Sequence, residues 1–150
     1  MKDYVNEQNI LGCIFLLANK LQLFGDKVAE DITLKQWFLL NTIIQMSERV
    51  PNYSDLAKIM GTSRQNVIKM ISVLQAKGMV ELCPSKNDNR SIYVTLTQKG
   101  LHSLSLKEDA GEMFLDKIFE GINSDGAEQT ARLIRQMLQN TAICLNGYEK

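Results

Sequence analysis

Apolar residues recur at helical spacing along most of the chain. Ile10, Ile14, Leu17, Leu21 and Phe24 step by four, three, four and three, and Leu11, Phe15 and Ala18 widen the stripe. This pattern predicts a helix with more apolar surface than one contact face needs. Thr33 opens a second helix: Thr33-Leu34-Lys35-Gln36 has the form of a capping box, and Trp37, Leu40, Ile43 and Ile44 follow on one face. Pro51-Asn52 breaks the chain. A short helix is expected next, with Ser54 as N-cap, Asp55 in its positive first turn and Gly61 as its stop. Thr62-Ser63-Arg64-Gln65 offers a second capping box, and the helix it starts runs to Lys77, with Gly78 just past the end. Two short helices joined by a glycine-containing turn make a helix-turn-helix.

The period then changes from helical to alternating. Residues 80–83 and 92–96 alternate apolar and polar positions, as half-buried strands do, and residues 84–91 form a polar turn-prone tip. Together they predict a β-hairpin. Thr97 caps a further helix whose periodicity continues through Leu104, Met113, Phe114, Ile118 and Ile122, with Gly111 weakening an unbroken rod. Ser124-Asp125 starts the last helix, which carries Leu133, Ile134, Met137, Leu138, Thr141 and Leu145 on one side. The fold class is therefore mainly α with a small β-hairpin wing: a winged helix-turn-helix with a helical dimerisation region. Its surplus apolar helix surface calls for a symmetric partner, a second copy of the chain.

Composition narrows the function classes. The 150 residues are 45% hydrophobic and 23% charged, an ordinary globular balance. No apolar run approaches the ~18 residues of a membrane span, and the sequence reads as a soluble cytoplasmic protein without a membrane partner. Cys13, Cys83 and Cys144 show neither a disulfide framework nor zinc spacing, and His102 is the one histidine. With no glycine-rich phosphate loop and no catalytic signature, no enzyme, cofactor or metal site is expected. Glu108, Asp109, Glu112 and Asp116 read as a solvated helix face.

The formal net charge is zero, yet its distribution is uneven. Residues 54–100 carry 7 Lys and Arg against 3 Asp and Glu, between flanks that are both net acidic. Only this middle third suits a polyanion. Along the helix after Gly61, Val67, Met70, Ile71 and Leu74 fall on one side, while Gln65, Lys69, Ser72 and Ala76 fall on the other, flanked by Arg64 and Asn66. Gln and Asn can pair bidentately with adenine, and Arg or Lys with guanine. Ser54, Thr62 and Ser63 suit phosphates through hydroxyls and free first-turn amides. Lys86, Asn87 and Arg90 on the hairpin tip can reach a neighbouring backbone or minor groove, and Asp88 can pair with Arg90 and hold its direction.

These elements, in this order, resemble the MarR family of winged helix-turn-helix transcriptional regulators across essentially the whole chain. The resemblance rests on Ser54-Asp55-Leu56-Ala57, Thr62-Ser63-Arg64-Gln65-Asn66-Val67 and Leu74-Gln75-Ala76-Lys77-Gly78-Met79-Val80, then on Asp88-Asn89-Arg90-Ser91 and Val94-Thr95-Leu96-Thr97-Gln98-Lys99-Gly100. It implies a single domain over 1–150, with a DNA-binding lobe at 33–100 and dimerisation helices at 1–32 and 101–150. It further implies a homodimer on a palindromic double-stranded operator, acting as a repressor, with Arg90 reaching the minor groove. Release by a small, often aromatic, effector is the expected control. Cys13 opens one alternative, a thiol redox sensor on the same fold, although a packed core cysteine is the default reading. A winged helix used only for protein contacts is the other.

Overall fold

The structure, a computed structural model, describes residues 4–29, 31–46, 49–84, 92–105 and 108–148. Residues 1–111 pack as one compact unit and residues 112–150 as a second. The helices are α1 (Val5–Val28), α2 (Leu34–Gln45), α3 (Tyr53–Met60), α4 (Arg64–Ala76), α5 (Gln98–Ser105), α6 (Glu108–Ile118) and α7 (Ser124–Tyr148); β1 (Val80–Pro84) and β2 (Ile92–Leu96) lie between α4 and α5. Among the described residues no helix is long and apolar enough to cross a membrane.

The core of the first unit is built from Leu39, Leu40, Leu56, Val67, Ile71, Leu74 and Val94, each essentially inaccessible to water. Burying one such side chain is worth roughly 1.5–3 kcal/mol over leaving it exposed. These residues come from α2, α3, α4 and β2, so one core ties the helix-turn-helix to the hairpin. The strands pair antiparallel, with Val80 opposite Leu96 and Leu82 opposite Val94. Met79 and Val80 are also buried, which pins the end of α4 to the start of the hairpin.

Local caps place the helix ends. The expected box at Thr33 is present: the Gln36 amide donates to Thr33 Oγ1 (3.2 Å) and the Thr33 amide donates to Gln36 Oε1 (3.1 Å). Ser54, by contrast, is not the cap of α3. Asn52 takes that role, accepting at Oδ1 from the amides of Ser54 (2.8 Å) and Asp55 (3.0 Å), while Asp55 Oδ2 accepts from the Asn52 amide (3.1 Å). Ser54 becomes the exposed second residue of the helix. The cause lies in the sheet: the Val94 amide donates to the Pro51 carbonyl (2.9 Å) and Asn52 bridges Tyr93, so the chain leaves an extended path at residue 52.

The second expected box, Thr62 to Gln65, is not formed, and a single cap one residue later takes its place. Gly61 adopts φ 60°, which only a residue without a Cβ takes at little cost, and the amides of Gly61 and Thr62 close α3 on the carbonyls of Lys58 and Ala57. With the Thr62 amide spent, Ser63 caps α4, accepting from the Asn66 amide at 3.2 Å. The other end of α4 closes the same way: Gly78 (φ 71°) donates to the Gln75 carbonyl and Met79 to the Leu74 carbonyl.

The region after the hairpin departs from the two long helices expected there. Three helices occupy it, with α5 ending at Ser105 and α6 beginning at Glu108, and Gly111 lies within α6 rather than at its end. Thr97 caps α5 as expected, accepting from the Gly100 amide (3.1 Å), and its own hydroxyl donates to the Gly78 carbonyl (2.6 Å). In the second unit Asn123 caps α7 by accepting from the Gly126 amide at 2.8 Å.

Asn52→Ala should cost about 1–2 kcal/mol of unfolding free energy through loss of a side chain that serves two amides. Ser54→Ala, at an exposed position without capping duty, should stay within about 0.5 kcal/mol. Urea titrations of the two variants check this, and equal losses would return the cap to Ser54.

Candidate nucleic-acid interface

The buried triad Val67, Ile71 and Leu74 sets the rotation of α4. Gln65, Lys69, Ser72 and Ala76 are consequently all exposed, and so are Ser63, Arg64 and Asn66 at its first turn. Thr62 is half-buried. The expected reading face is therefore assembled on one helix, with small side chains at the positions nearest the middle and end of α4.

Several of its side chains are already engaged. Asn66 Nδ2 donates to Thr62 Oγ1 (3.1 Å), so the amide is held against the preceding turn. Ser72 Oγ donates to the Ile68 carbonyl one turn back (2.8 Å), which keeps its profile low. Arg64 lies with its guanidinium carbon 5.7 Å from the centroid of the Tyr53 ring. Tyr53 is only 7% exposed, so the ring is a fixed platform. Tyr53 was not singled out from sequence; a lone aromatic beside a proline break carries no local sign of the cation it will meet.

Charge is also more concentrated than a count suggests. Lys77 Nζ donates to the Asp31 carbonyl and Lys99 Nζ donates to the Lys77 carbonyl (2.7 Å), so both ammonium groups serve the fold. Asp55 pairs with Arg49 at 3.5 Å on the surface, a contact that contributes little to stability. Lys58, Arg64 and Lys69 remain as exposed cations of α3 and α4. Lys86, Asn87, Asp88 and Arg90, and with them the expected wing ion pair, lie outside the described residues.

A hollow of about 560 Å³ borders the same face, with Lys35, Phe38, Met60 and Met70 beside Thr62, Asn66 and Lys69. Phe38 is 49% exposed there because α2 turns Leu39 and Leu40 inward instead. Cys13, read by default as a packed core cysteine, is exposed on α1, as are Cys83 and Cys144 elsewhere. Gly25 is the one buried residue of α1, with Ala29 buried just past its end. Among the described residues no group of three or more His, Cys, Asp and Glu could hold a metal ion.

Burial raises the Tyr53 hydroxyl above its ordinary 10.0, and the nearby Arg64 charge partly opposes that rise. The folded protein thus holds this proton more tightly than the unfolded chain. Its contribution to stability is complete below about pH 10 and falls as pH rises through the folded value. Arg64→Ala should move the Tyr53 transition further upward, followed by tyrosinate absorbance against a Tyr53→Phe blank; an unmoved or lowered transition would separate the two side chains.

Comparison with known proteins agrees with this geometry. Residues 30–91 match the MarR family. The transcriptional activatory protein BadR of Rhodopseudomonas palustris is 32% identical over 92 residues, 59% of this chain, which spans only about half (53%) of BadR. A mutant MarR from E. coli, solved in complex with operator DNA, superposes with a TM-score of 0.78 at 23% identity, covering 91% of this chain and 99% of that one. BpsR of Bordetella bronchiseptica, whose DNA binding is regulated by 6-hydroxynicotinic acid, gives a TM-score of 0.67 at 18% identity over 83% of this chain and 97% of its own. Residues 30–91 are thus similar to the MarR family, and the chain shares the winged-helix fold of these solved structures.

Proposed function

We propose that the protein is a sequence-specific, double-stranded DNA-binding transcriptional regulator that places α4 in a major groove. The observation that carries this reading is the outward stripe Gln65, Lys69, Ser72 and Ala76 opposite a fully buried face. Gln65 and Lys69 offer donors and acceptors to base edges, while Ser72 and Ala76 let the helix backbone approach. Ser54, Thr62 and Ser63 serve phosphates at the helix starts. The wing residues Lys86, Asn87 and Arg90 add backbone and minor-groove contacts in this reading, which rests for them on sequence alone.

Two copies act together. Phe15 on α1 is 72% exposed, and Ile10, Leu11 and Leu17 beside it are about half exposed. On α7, Leu133, Leu138 and Leu145 each expose more than 60% of their surface. Apolar surface of this extent belongs against a partner, and a two-fold dimer matches a palindromic operator. Residues 1–32 and 101–150 supply that interface in this reading, and 33–100 the DNA-binding lobe.

Repression by occlusion of polymerase is the primary output, through an operator that overlaps a promoter. Similarity to an activatory protein favours activation as the second reading. A small effector, aromatic in keeping with the ligand of BpsR, releases the DNA. The hollow beside α4 shares Thr62, Asn66 and Lys69 with the reading face, so a molecule seated there would compete directly with a duplex.

Selection of a preferred site from random duplexes tests the reading, with Gln65→Ala titrated on the selected site. A loss of about 1–3 kcal/mol with relaxed base preference is expected. An equal loss on random DNA would remove Gln65 from base reading. Sedimentation equilibrium on the same sample should give twice the 17.0 kDa chain mass, and a monomer at micromolar concentration would sink the dimer.

A further inference from the structure

Arg64 and Tyr53 are the first residues of α4 and α3, and the placement of the guanidinium carbon over the ring, 5.7 Å from its centroid, joins the two helix starts. The ring cannot follow the guanidinium outward. It is buried, and its backbone is anchored by the Asn52–Asp55 box, the Pro51–Val94 hydrogen bond and the Asn52–Tyr93 bridge. Around the α4 axis Arg64 stands about 110° from the centre of the Gln65, Lys69, Ser72 and Ala76 stripe, at about 100° per residue. It is turned toward α3, and among the described residues no carboxylate pairs with it. A guanidinium held over a ring by its charge keeps edge N–H groups available, and these can grip a phosphate with two parallel hydrogen bonds. In a helix-turn-helix the first helix crosses the DNA backbone while the second enters the groove, so the α3 side of α4 faces the phosphate wall.

We propose that Arg64 is a phosphate clamp rather than a base reader, and that Tyr53 is the positioning residue that aims it. This rests on the DNA-binding reading above and divides its labour. Arg64 contributes affinity that is blind to sequence, and discrimination falls to the outward stripe. Retention of Arg64 on its ring also fixes the depth to which α4 can enter, because the clamp meets the backbone at one point of the helix start.

Fluorescence anisotropy titrations on the selected duplex and on a scrambled duplex, each at several salt concentrations, test the proposal. Arg64→Ala should weaken both duplexes by the same factor, lower the slope of log K against log salt by about 0.9, and leave base preference intact. Tyr53→Leu should weaken both duplexes in the same proportion, and Tyr53→Phe, which keeps the ring, should rescue that loss. Relaxed preference at any base pair in Arg64→Ala, or wild-type binding by Tyr53→Leu, would overturn the proposal. If circular dichroism shows Tyr53→Leu unfolded, Arg64→Lys decides. Lysine keeps the charge without a flat face, so a retained salt slope with weaker affinity supports the clamp, whereas wild-type affinity removes the ring from it. Absence of salt-dependent affinity in the wild-type protein would instead defeat the DNA-binding reading itself.

Discussion

Val67, Ile71 and Leu74 have almost no contact with water, and the orientation of everything the protein presents follows from their burial. A helix has one free rotation about its axis. Fixing it by three apolar side chains, each worth roughly 1.5–3 kcal/mol when buried, leaves the opposite residues facing outward. Turning α4 enough to hide Gln65 and Lys69 would bring the triad into water and strand an amide and an ammonium without partners, an arrangement no compensating contact here would offset.

The segment from Pro51 to Tyr53 is the second constraint. Within three residues it pairs with β2, caps α3 and supplies the ring under Arg64. The hairpin base and both helix starts are thereby referred to one short stretch of backbone. The same economy governs charge. Lys77 and Lys99 donate to the Asp31 and Lys77 carbonyls, and this leaves Lys58 in the last turn of α3 and Arg64 and Lys69 in the first half of α4 as exposed positive charge for a polyanion to meet.

Most helices and the hairpin were legible because their signals are local. The Thr33 box joins residues three apart, the Gly61 and Gly78 stops depend on single φ angles, and the strands announce themselves by alternation. The misplaced caps arise where two neighbouring residues are both competent and a hydrogen bond outside the new helix decides between them. Ser54 and Asn52 are both competent caps, and pairing of Pro51 with Val94 selects Asn52. Thr62 and Ser63 are likewise interchangeable until the Thr62 amide is committed to closing α3. Cys13, a core residue by default reading, is exposed, because an apolar helical pattern says which side of a helix a residue occupies and not whether anything covers that side.

Sequence alone determined the element types, the helix-turn-helix order and the polar composition of the α4 face, since these depend on contacts within about one turn or one hairpin. Tertiary packing alone decided which cap is used, which lysines are consumed by carbonyls and where the Arg64 guanidinium rests. Those outcomes join residues 11 to 46 positions apart, among them Arg64 on Tyr53, Lys99 on Lys77 and Lys77 on Asp31. Pairings at such separations are set by the shape of the folded core, and no pattern along the chain encodes them.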